Sequence, residues 1–318
     1  MEWIKKGHIF NPQDYSANNS GREFAQSPQA LVFPDRVRIY FSTRTADKSG
    51  KYLSQIAFVE YDKQFKSLLH FSSHEVISLG DLGCFDEHGI FPLNVLRHED
   101  LVLGYSCGWS RRVSVSVETG IGLAISHDSG QTFQKVGAGP VLTSSLREPC
   151  LVGDGFVKVI NGTFHMWYIF GSLWKKFDDC SPPDRVYKIG HATSSDGIVW
   201  HKEEGRKIIS DALGEDESQA LPTVIEIDKR FHMFFCFRQS FDFRQNKSRG
   251  YKIGHAWSDD LKTWIRDDSE MALEGTPGEW DSDMQCYPHV FEMDGNVYML
   301  YNGNEFGRYG FGLAELVS

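Results

Sequence analysis

The chain has 318 residues, of which 41% are hydrophobic and 14% aromatic, enough to build a large buried core. A net charge of −10 argues against nucleic acid or an anionic membrane surface as a partner. The sequence contains neither an apolar stretch of about 18 residues nor a signal-peptide pattern, so a cytoplasmic protein is expected. The six cysteines have no metal-ligand spacing, and no metal site is predicted.

A proline that leads a mostly apolar run occurs five times, at Pro28, Pro92, Pro149, Pro222 and Pro288, with spacings of 64, 57, 73 and 66 residues. These runs are short and rich in β-branched and aromatic residues, which predicts strands. Each repeat continues with a second strand-like run, and these runs are Arg38–Thr43, Leu101–Ser106, Phe164–Phe170, Phe231–Phe237 and Val297–Tyr301.

A third run follows in each repeat, and four of the five copies contain a glycine within it; the five are Tyr52–Ala57, Thr119–Ala124, Tyr187–Ala192, Tyr251–Ala256 and Tyr309–Ala314. In three repeats an Asp-containing turn then leads to an aromatic residue that begins a fourth strand, at Phe133, Trp200 and Trp264. The repeat unit therefore contains four strands.

Five repeats of about 60 residues predict an all-β fold, a five-bladed β-propeller with four antiparallel strands per blade. A β-sandwich is the alternative, but the fixed period argues against it. The fifth repeat lacks a fourth strand, so residues 3–10 are predicted to pair with residues 309–316 and close the last blade. The prediction is one domain over residues 1–318, with blades at 20–75, 84–142, 145–210, 215–270 and 280–318 plus 1–12.

Acidic residues recur at the entry of the proline-led strands. Four repeats carry a carboxylate five residues before the proline, at Glu23, Glu87, Glu217 and Asp283, whereas the third carries Glu148 directly before its proline. Because successive strands alternate in direction, all five acids are expected to converge on one mouth of the central channel, with Glu148 lying deepest.

The loops that join second to third strands should open on the same face, where rigid scaffolds usually carry function. They are rich in arginine and tryptophan, including Arg44, Trp109, Arg111, Arg112, Trp174, Arg185, Arg238, Arg244, Arg249 and Arg308. Carboxylates accept hydrogen bonds from sugar hydroxyls, and glycoside cleavage requires two carboxyl groups. Clustered carboxylates raise one another's pKa, which provides a proton donor. The composition indicates a carbohydrate site.

The proline-led strands, the Ser-Asp-Gly turns and the N-terminal strand resemble the five-bladed propeller glycosidases of family 43 and family 32 and the family-130 phosphorylases. The resemblance implies a general base in an Asp-Pro pair of the first blade, where this chain has Ser27-Pro28, with Glu23 as a replacement from the preceding loop. Arg147-Glu148-Pro149 is similar to the Arg-Asp-Pro motif of family 32, which implies either a sugar clamp or a proton donor at Glu148.

The leading hypothesis is a glycoside hydrolase that acts on an oligosaccharide or small-molecule substrate with the catalytic carboxylates Glu148, Glu23, Glu87 and Asp283. The expected substrate-binding residues are Arg22, Asp86, His88, Trp109, Arg112, Arg147, Glu217, Gln219, Gln285, His289 and Arg308. Two alternatives are a transferase or phosphorylase acting on a sugar phosphate or nucleotide sugar, and a non-catalytic propeller that binds a glycan or a protein. No cofactor is predicted, although the resemblance leaves calcium near His289 open.

Overall fold

The computed structural model describes residues 1–15, 23–271 and 273–317, and most of its regular structure is β-strand. The strands are β1 Trp3–Phe10, β2 Glu23–Val32, β3 Val37–Ala46, β4 Tyr52–Tyr61, β5 Leu68–Phe71, β6 Gly89–His98, β7 Leu101–Arg111, β8 Val117–Ser126, β9 Gln134–Lys135, β10 Val152–Ile160, β11 Thr163–Lys175, β12 Asp184–Ser194, β13 His201–Lys202, β14 Glu217–Ile227, β15 Arg230–Gln239, β16 Lys252–Ser258, β17 Ile265–Arg266, β18 Cys286–Met293, β19 Asn296–Asn302 and β20 Phe311–Leu316. The all-β prediction is confirmed.

Helical structure is limited to short turns. Three 3-10 turns lie at Pro12–Tyr15, Lys247–Arg249 and Asp268–Glu270, and one four-residue helical turn, α1, lies at Asn304–Gly307. Within the described ranges, no helix is long and apolar enough to cross a membrane.

Strands that are adjacent in sequence pair antiparallel and form sheets of four. One sheet contains β10 to β13, another β14 to β17, and a third β18 to β20 together with β1. The groups β2 to β5 and β6 to β9 have the same internal order and are joined by a single parallel bridge between Ser54 and Gly89. Each group corresponds to one predicted repeat.

The N-terminal strand completes the last sheet. Trp3 lies opposite Leu316 and Phe10 opposite Phe311 in an antiparallel register, so both ends of the chain lie in one sheet. Trp3 and Phe10 are buried, and burying a large apolar side chain contributes about 1.5–3 kcal/mol. The predicted pairing of residues 3–10 with residues 309–316 is confirmed.

The first strand of each group contacts the first strand of the next: β2 contacts β6, β6 contacts β10, β10 contacts β14, β14 contacts β18, and β18 contacts β2. Every one of them is interrupted by a β-bulge at the same point, and the bulges contain Ser27, Phe91, Asp154, Leu221 and Tyr287. All of these but Phe91 have positive φ, between 48° and 56°. A β-bulge bends the strand and changes the direction of its side chains. The side chain of the bulge residue therefore points in a different direction from those of its neighbours in the strand.

The bulges correct the sequence alignment of the third repeat. Ser27, Phe91, Leu221 and Tyr287 each precede a proline, whereas Asp154 precedes Gly155. With Gly155 in place of Pro149 the spacings become 64, 63, 67 and 66 residues, far more regular than before. The third repeat thus has Gly155 at the position that proline occupies in the other four.

Glu148 therefore does not begin an inner strand. β10 starts at Val152, and Glu148 pairs with Ser145 in the preceding turn. The prediction that Glu148 is the first residue of the strand and lies deepest is wrong, because Pro149 belongs to the turn and Gly155 to the strand.

Among the described residues, four of the groups contain an ion pair between a buried acid at the entry of the first strand and a cation on the outermost strand. These edge ion pairs are Asp86–Lys135, Glu148–Lys202, Glu217–Arg266 and Asp281–Lys5. Each acid is at most 1% exposed. Two of them also accept a hydrogen bond from a tyrosine of the same sheet, Tyr168 to Glu148 at 2.8 Å and Tyr301 to Asp281 at 3.0 Å.

The edge ion pairs explain the buried acids Glu148 and Glu217 among those that the sequence pattern singled out; Glu23, Glu87 and Asp283 have other partners. A contact between the first strand's entry and the fourth strand is an internal feature of each group, so it repeats with the group. Removing one partner of a buried ion pair leaves an uncompensated charge and typically costs 3–5 kcal/mol. The acids of the edge ion pairs therefore have a structural role.

We expect Lys202→Met to lower the free energy of unfolding by about 3 kcal/mol, because Glu148 would remain buried without a counter-charge. Urea denaturation at neutral pH measures this change. Arg230→Met is the matched control, because Arg230 forms an exposed pair with Asp259, and exposed pairs contribute about 0–1 kcal/mol. Equal losses in the two variants would contradict the structural role.

Candidate functional site

A cavity of about 290 Å³ lies at the end of the first strands where the bulges occur. Three bulge residues, Phe91, Asp154 and Tyr287, line it. The connections from second to third strands, with the strand ends beside them, supply most of the remaining lining: Arg44, Tyr52, Trp109, Val117, Arg185, Arg238, Phe243, Arg244, Tyr251 and Phe306. The volume is at the lower end of that of small-molecule sites.

Asp154 is the one carboxylate among the residues described as lining this cavity. It is 7% exposed, and it has a φ of 50° in the bulge of β10. Non-glycine residues in such conformations cost about 1–3 kcal/mol and cluster at functional sites. The glycines on both sides, Gly153 and Gly155, leave room for close neighbours, since a Cβ on Gly153 would lie 2.6 Å from the sulfur of Cys107.

Burial raises the pKa of the Asp154 carboxyl to about 7, against the smaller opposing effects of the Arg185 charge, the backbone N–H of Leu221 and the side chain of Cys107. Removal from water disfavours the charged form of a carboxyl group. Asp154 is therefore largely protonated just below neutral pH, which is the state required of a general acid. Burial also raises the pKa of Cys107, so its thiol stays neutral.

Four arginines face the same space as Asp154. Arg44 donates to the side-chain oxygen of Gln26 at 2.8 Å, and Arg185 donates to the hydroxyl of Ser116 at 3.5 Å. Arg244 lies at the rim, 3.9 Å from Asp184. Arg238 is 1% exposed, and its guanidinium lies 3.5 Å from the ring centre of Phe243.

Arg238 organises a pair of buried tyrosines. Its Nη2 donates to the hydroxyl of Tyr187 at 3.0 Å, and its Nη1 donates to the carbonyl of Gln239 at 2.8 Å. The hydroxyls of Tyr187 and Tyr251 are themselves hydrogen-bonded. Tyr187 and Tyr251 occupy the same position in the two YKIGHA segments. The repeat therefore places two equivalent side chains in contact with each other in the cavity lining.

The structure does not bring the predicted catalytic carboxylates together in this cavity. Glu148 forms an edge ion pair with Lys202. Glu23 is exposed and accepts a hydrogen bond from Tyr52 at 3.2 Å. Glu87 accepts from the backbone N–H of Gly83 at 3.0 Å, and Asp283 pairs with Lys247 at 2.6 Å. None of these four carboxylates is part of the cavity lining, and each has a local partner, of which Tyr52, the partner of Glu23, itself lines the cavity. Their convergence on one mouth of a central channel stays a prediction.

Among the predicted binding residues, Trp109 lines the cavity, and His88 stacks on it with ring centres 5.9 Å apart. Arg112 and Arg308 form surface pairs with Glu118 and Glu305. These pairs lie outside the cavity lining.

Five other predicted binding residues have partners within their own sheets or turns. Asp86 and Glu217 belong to edge ion pairs. Gln219 donates to Glu217 at 2.9 Å, and Gln285 donates to the carbonyl of Asp281. The backbone N–H of Arg147, an exposed residue, donates to Glu204.

Arg22 lies outside the described residues. His289 lines a different cavity, together with the buried Val290 and residues such as Lys158 and Glu226. Burial lowers the pKa of His289 to about 3. Within the described ranges, no three His, Cys, Asp or Glu side chains are grouped as a metal site. Calcium prefers six to eight oxygen ligands, so the surroundings of the neutral His289 do not fit calcium.

Asp154, Tyr187, Tyr251 and Tyr287 were missed as site residues by sequence reasoning. One signal could have identified Asp154: the run Gly153–Ile160 matches the other proline-led runs in spacing once Gly155 is allowed at the proline position. The residue before that position is then the bulge residue in every repeat, and only the third repeat has an acid there.

We expect Asp154→Asn to stabilise the protein above neutral pH. The folded-state pKa of about 7 exceeds the ordinary value of 3.8, so stability is lost as the pH rises from about 4 through 7. At pH 8 the free energy of unfolding of the variant should exceed that of the wild type by about 4 kcal/mol, and at pH 4 the difference should fall below about 1 kcal/mol. Thermal unfolding across this range measures it. A pH-independent difference, or one like that of the exposed Asp283→Asn, would contradict the burial of a charged Asp154.

Comparisons with solved structures place the fold. A glycoside hydrolase is 15% identical with a TM-score of 0.73, over 99% of this chain and 91% of its own length. A thermostable family-43 glycoside hydrolase is 14% identical with a TM-score of 0.64, over 94% and 90%. A structure from the GH130 family of mannoside phosphorylases is 15% identical with a TM-score of 0.64, over 92% and 84%. The protein has the fold of these glycosidase structures, as the sequence resemblance predicted.

No protein-family model matches the chain. Two sequences from Mycobacterium tuberculosis are each 33% identical over 324 residues, covering 99% of this chain and 99% of their own length: Uncharacterized protein MT1551 of strain CDC 1551 / Oshkosh and Uncharacterized protein Rv1502 of strain ATCC 25618 / H37Rv. With this identity over its whole length, this protein belongs to the same protein family as Uncharacterized protein Rv1502 of Mycobacterium tuberculosis.

Proposed function

We propose that this protein is a carbohydrate-active enzyme that cleaves or transfers a glycosidic bond, with Asp154 as the proton donor. The observation that carries the proposal is the buried Asp154, held in a strained bulge at a cavity in a fold shared with glycoside hydrolases and phosphorylases. An uncharged carboxyl group at neutral pH is what protonation of a leaving oxygen requires.

The cavity supplies the other elements of such a reaction. Trp109, Tyr52 and Tyr287 present aromatic surfaces, which cover the apolar faces of sugar rings. As the bond from the anomeric carbon to the leaving oxygen breaks, Asp154 gives its proton to that oxygen. Because the described lining offers no second carboxylate, the attacking oxygen comes from water or from a second substrate, and not from an enzyme carboxylate.

We further propose that the five groups of strands form a closed five-bladed β-propeller in a single domain. The contacts that run from β2 through β6, β10, β14 and β18 back to β2 support it, as does the pairing of β1 with β20. In this arrangement the five bulges lie at one end of a shared axis. In three of the blades the bulge residue lines the cavity, as Phe91, Asp154 and Tyr287, and the third blade supplies the acid.

Transfer or phosphorolysis is the second candidate, and one observation favours it over hydrolysis. A hydrolase of the usual kind has two carboxyl groups flanking the bond, whereas Asp154 is alone among the described lining residues. A reaction whose attacking group belongs to a second substrate needs only the proton donor from the enzyme. A non-catalytic glycan-binding role is the outcome if no substrate turns over.

We expect Asp154→Asn to reduce kcat by a factor of about 10²–10⁴, the usual contribution of a general acid. In the wild type, kcat/KM should fall as the pH rises past about 7, where Asp154 loses its proton. A panel of aryl glycosides and sugar phosphates, assayed from pH 5 to pH 9, measures both effects.

Glu87→Gln and Asp283→Asn are the matched controls, because each also neutralises one carboxylate of this face but lies outside the cavity lining. Both should keep kcat within about tenfold of the wild type. Loss of turnover in either control, with turnover retained in Asp154→Asn, would contradict the role of Asp154. It would indicate that the carboxylates at the strand entries are catalytic.

A further inference from the structure

The candidate site has a charge opposite to that of the protein as a whole. The chain carries a net charge of −10, yet the cavity is lined by Arg44, Arg185, Arg238 and Arg244 against the single carboxyl of Asp154. Arginine remains charged throughout the pH range in which proteins fold. With the pKa of Asp154 raised to about 7, this carboxyl group is only partly ionised at neutral pH, and the lining has a charge between +3 and +4.

These arginines lack close acidic partners within the described residues. Arg44 and Arg185 donate to the neutral side chains of Gln26 and Ser116. The one acid near Arg244 is Asp184, at 3.9 Å, beyond hydrogen-bond distance. Elsewhere in the protein, buried cations pair closely, as Arg266 does with Glu217 at 2.7 Å.

The arginines also oppose one another. Burial lowers the pKa of the Arg44 guanidinium, and the charges of Arg244 and Arg185 lower it further. Burial likewise lowers the pKa of Arg244, with a further decrease from Arg238 and Arg185. Arg238 is the fully buried member of the four, whereas the side chain of Arg244 is 56% exposed, and the Asp184 charge raises the pKa of both. A buried charge such as that of Arg238 is retained only where a counter-charge or a function compensates its cost.

Arg238 is the most informative member of the cluster. Its side chain is 1% exposed, and its Nε–H has no hydrogen-bond partner. Its other nitrogens are held by Gln239 and Tyr187. A buried, unsatisfied N–H donor costs about 1–3 kcal/mol, which a bound acceptor would offset.

We propose that the substrate of this site is a sugar that carries an oxyanion, either a carboxylate or a phosphate, bound by Arg44, Arg185, Arg238 and Arg244 beside Asp154. Guanidinium groups bind both anions through paired hydrogen bonds. The inference rests on the proposed function for the role of Asp154 but not for the binding of the anion. The aromatic lining contacts the sugar ring, and the arginines select the charged substituent.

Isothermal titration calorimetry with four probes tests the proposal: galacturonate, galactose 6-phosphate, galactose and inorganic phosphate. Galacturonate or galactose 6-phosphate should bind at least tenfold more tightly than galactose, and the one that binds more tightly identifies the anion. Inorganic phosphate should bind more weakly than the preferred charged sugar, because it lacks the ring. Equal binding of galactose and both charged sugars, or inorganic phosphate as the tightest ligand, would overturn the proposal.

Arg44→Gln and Arg244→Gln should each weaken binding of the preferred charged sugar at least tenfold and leave galactose binding within threefold. These two residues are less buried than Arg238, so the variants are less prone to misfold. Arg230→Gln is the control, because Arg230 lies at the far end of β15 from Arg238 and pairs with Asp259. Equal losses of charged-sugar binding in Arg230→Gln and in the two site variants would also overturn the proposal.

Asp154→Asn separates this inference from the proposed function. The variant should retain binding of the charged sugar within threefold of the wild type while losing turnover. Turnover of neutral glycosides with no preference for charged ones would refute the anionic substrate and leave the enzyme intact. Charged-sugar binding without turnover of any substrate would refute the enzyme and leave the anion site intact.

Discussion

The edge ion pairs set the geometry on which the rest of the structure depends. In four of the groups of strands, a buried acid at the start of the first strand meets a cation on the outermost strand of the same group. The pair fastens the irregular segment that enters the first strand to the edge of its own sheet. In these four groups the bulge of the first strand follows the acid by four to six residues.

The bulge directs one side chain of the first strand toward the cavity in three of the groups. In four groups the residue concerned has positive φ, a conformation that the neighbouring strands hold against its cost. Phe91, Tyr287 and Asp154 thereby reach a common cavity from three different strands. The repeated architecture supplies a set of equivalent positions, and side-chain identity at those positions decides what the cavity can bind or protonate.

Much of the fold could be predicted from the sequence, because periodicity reports on backbone structure. The alternating runs, the two YKIGHA segments and the unpaired strand at residues 3–10 all identify elements that the structure contains.

The site was less accessible to prediction for the same reason. The search for acids at a constant offset found one structural ion pair, Glu217–Arg266, together with acids that lie outside the cavity lining, such as Glu87 and Asp283. Asp154 follows no such repeat, because it is a single substitution at a position otherwise held by Ser, Phe, Leu and Tyr. Pro149 added to the misassignment by aligning Glu148 with the inner strands, since proline suits both turns and strand starts. The hydrogen-bond register of β10 with β11, with its shift between Gly153 and Phe156, assigns the strand position to Gly155, in agreement with the more regular spacing that Gly155 gives.

The charge distribution of the cavity gives the site a coherent physical character. Burial in the cavity raises the pKa of Asp154 to about 7, and the same low-dielectric surroundings strengthen every interaction of the arginines with an anion. Both kinds of side chain are costly to bury on their own, because a charged Asp154 would lose its hydration and the arginines repel one another. A bound oxyanion would neutralise the positive charge of the arginines and leave the carboxyl proton of Asp154 free for transfer. The two kinds of group can therefore act on one ligand, the arginines by holding its charged substituent and Asp154 by protonating an uncharged oxygen nearby.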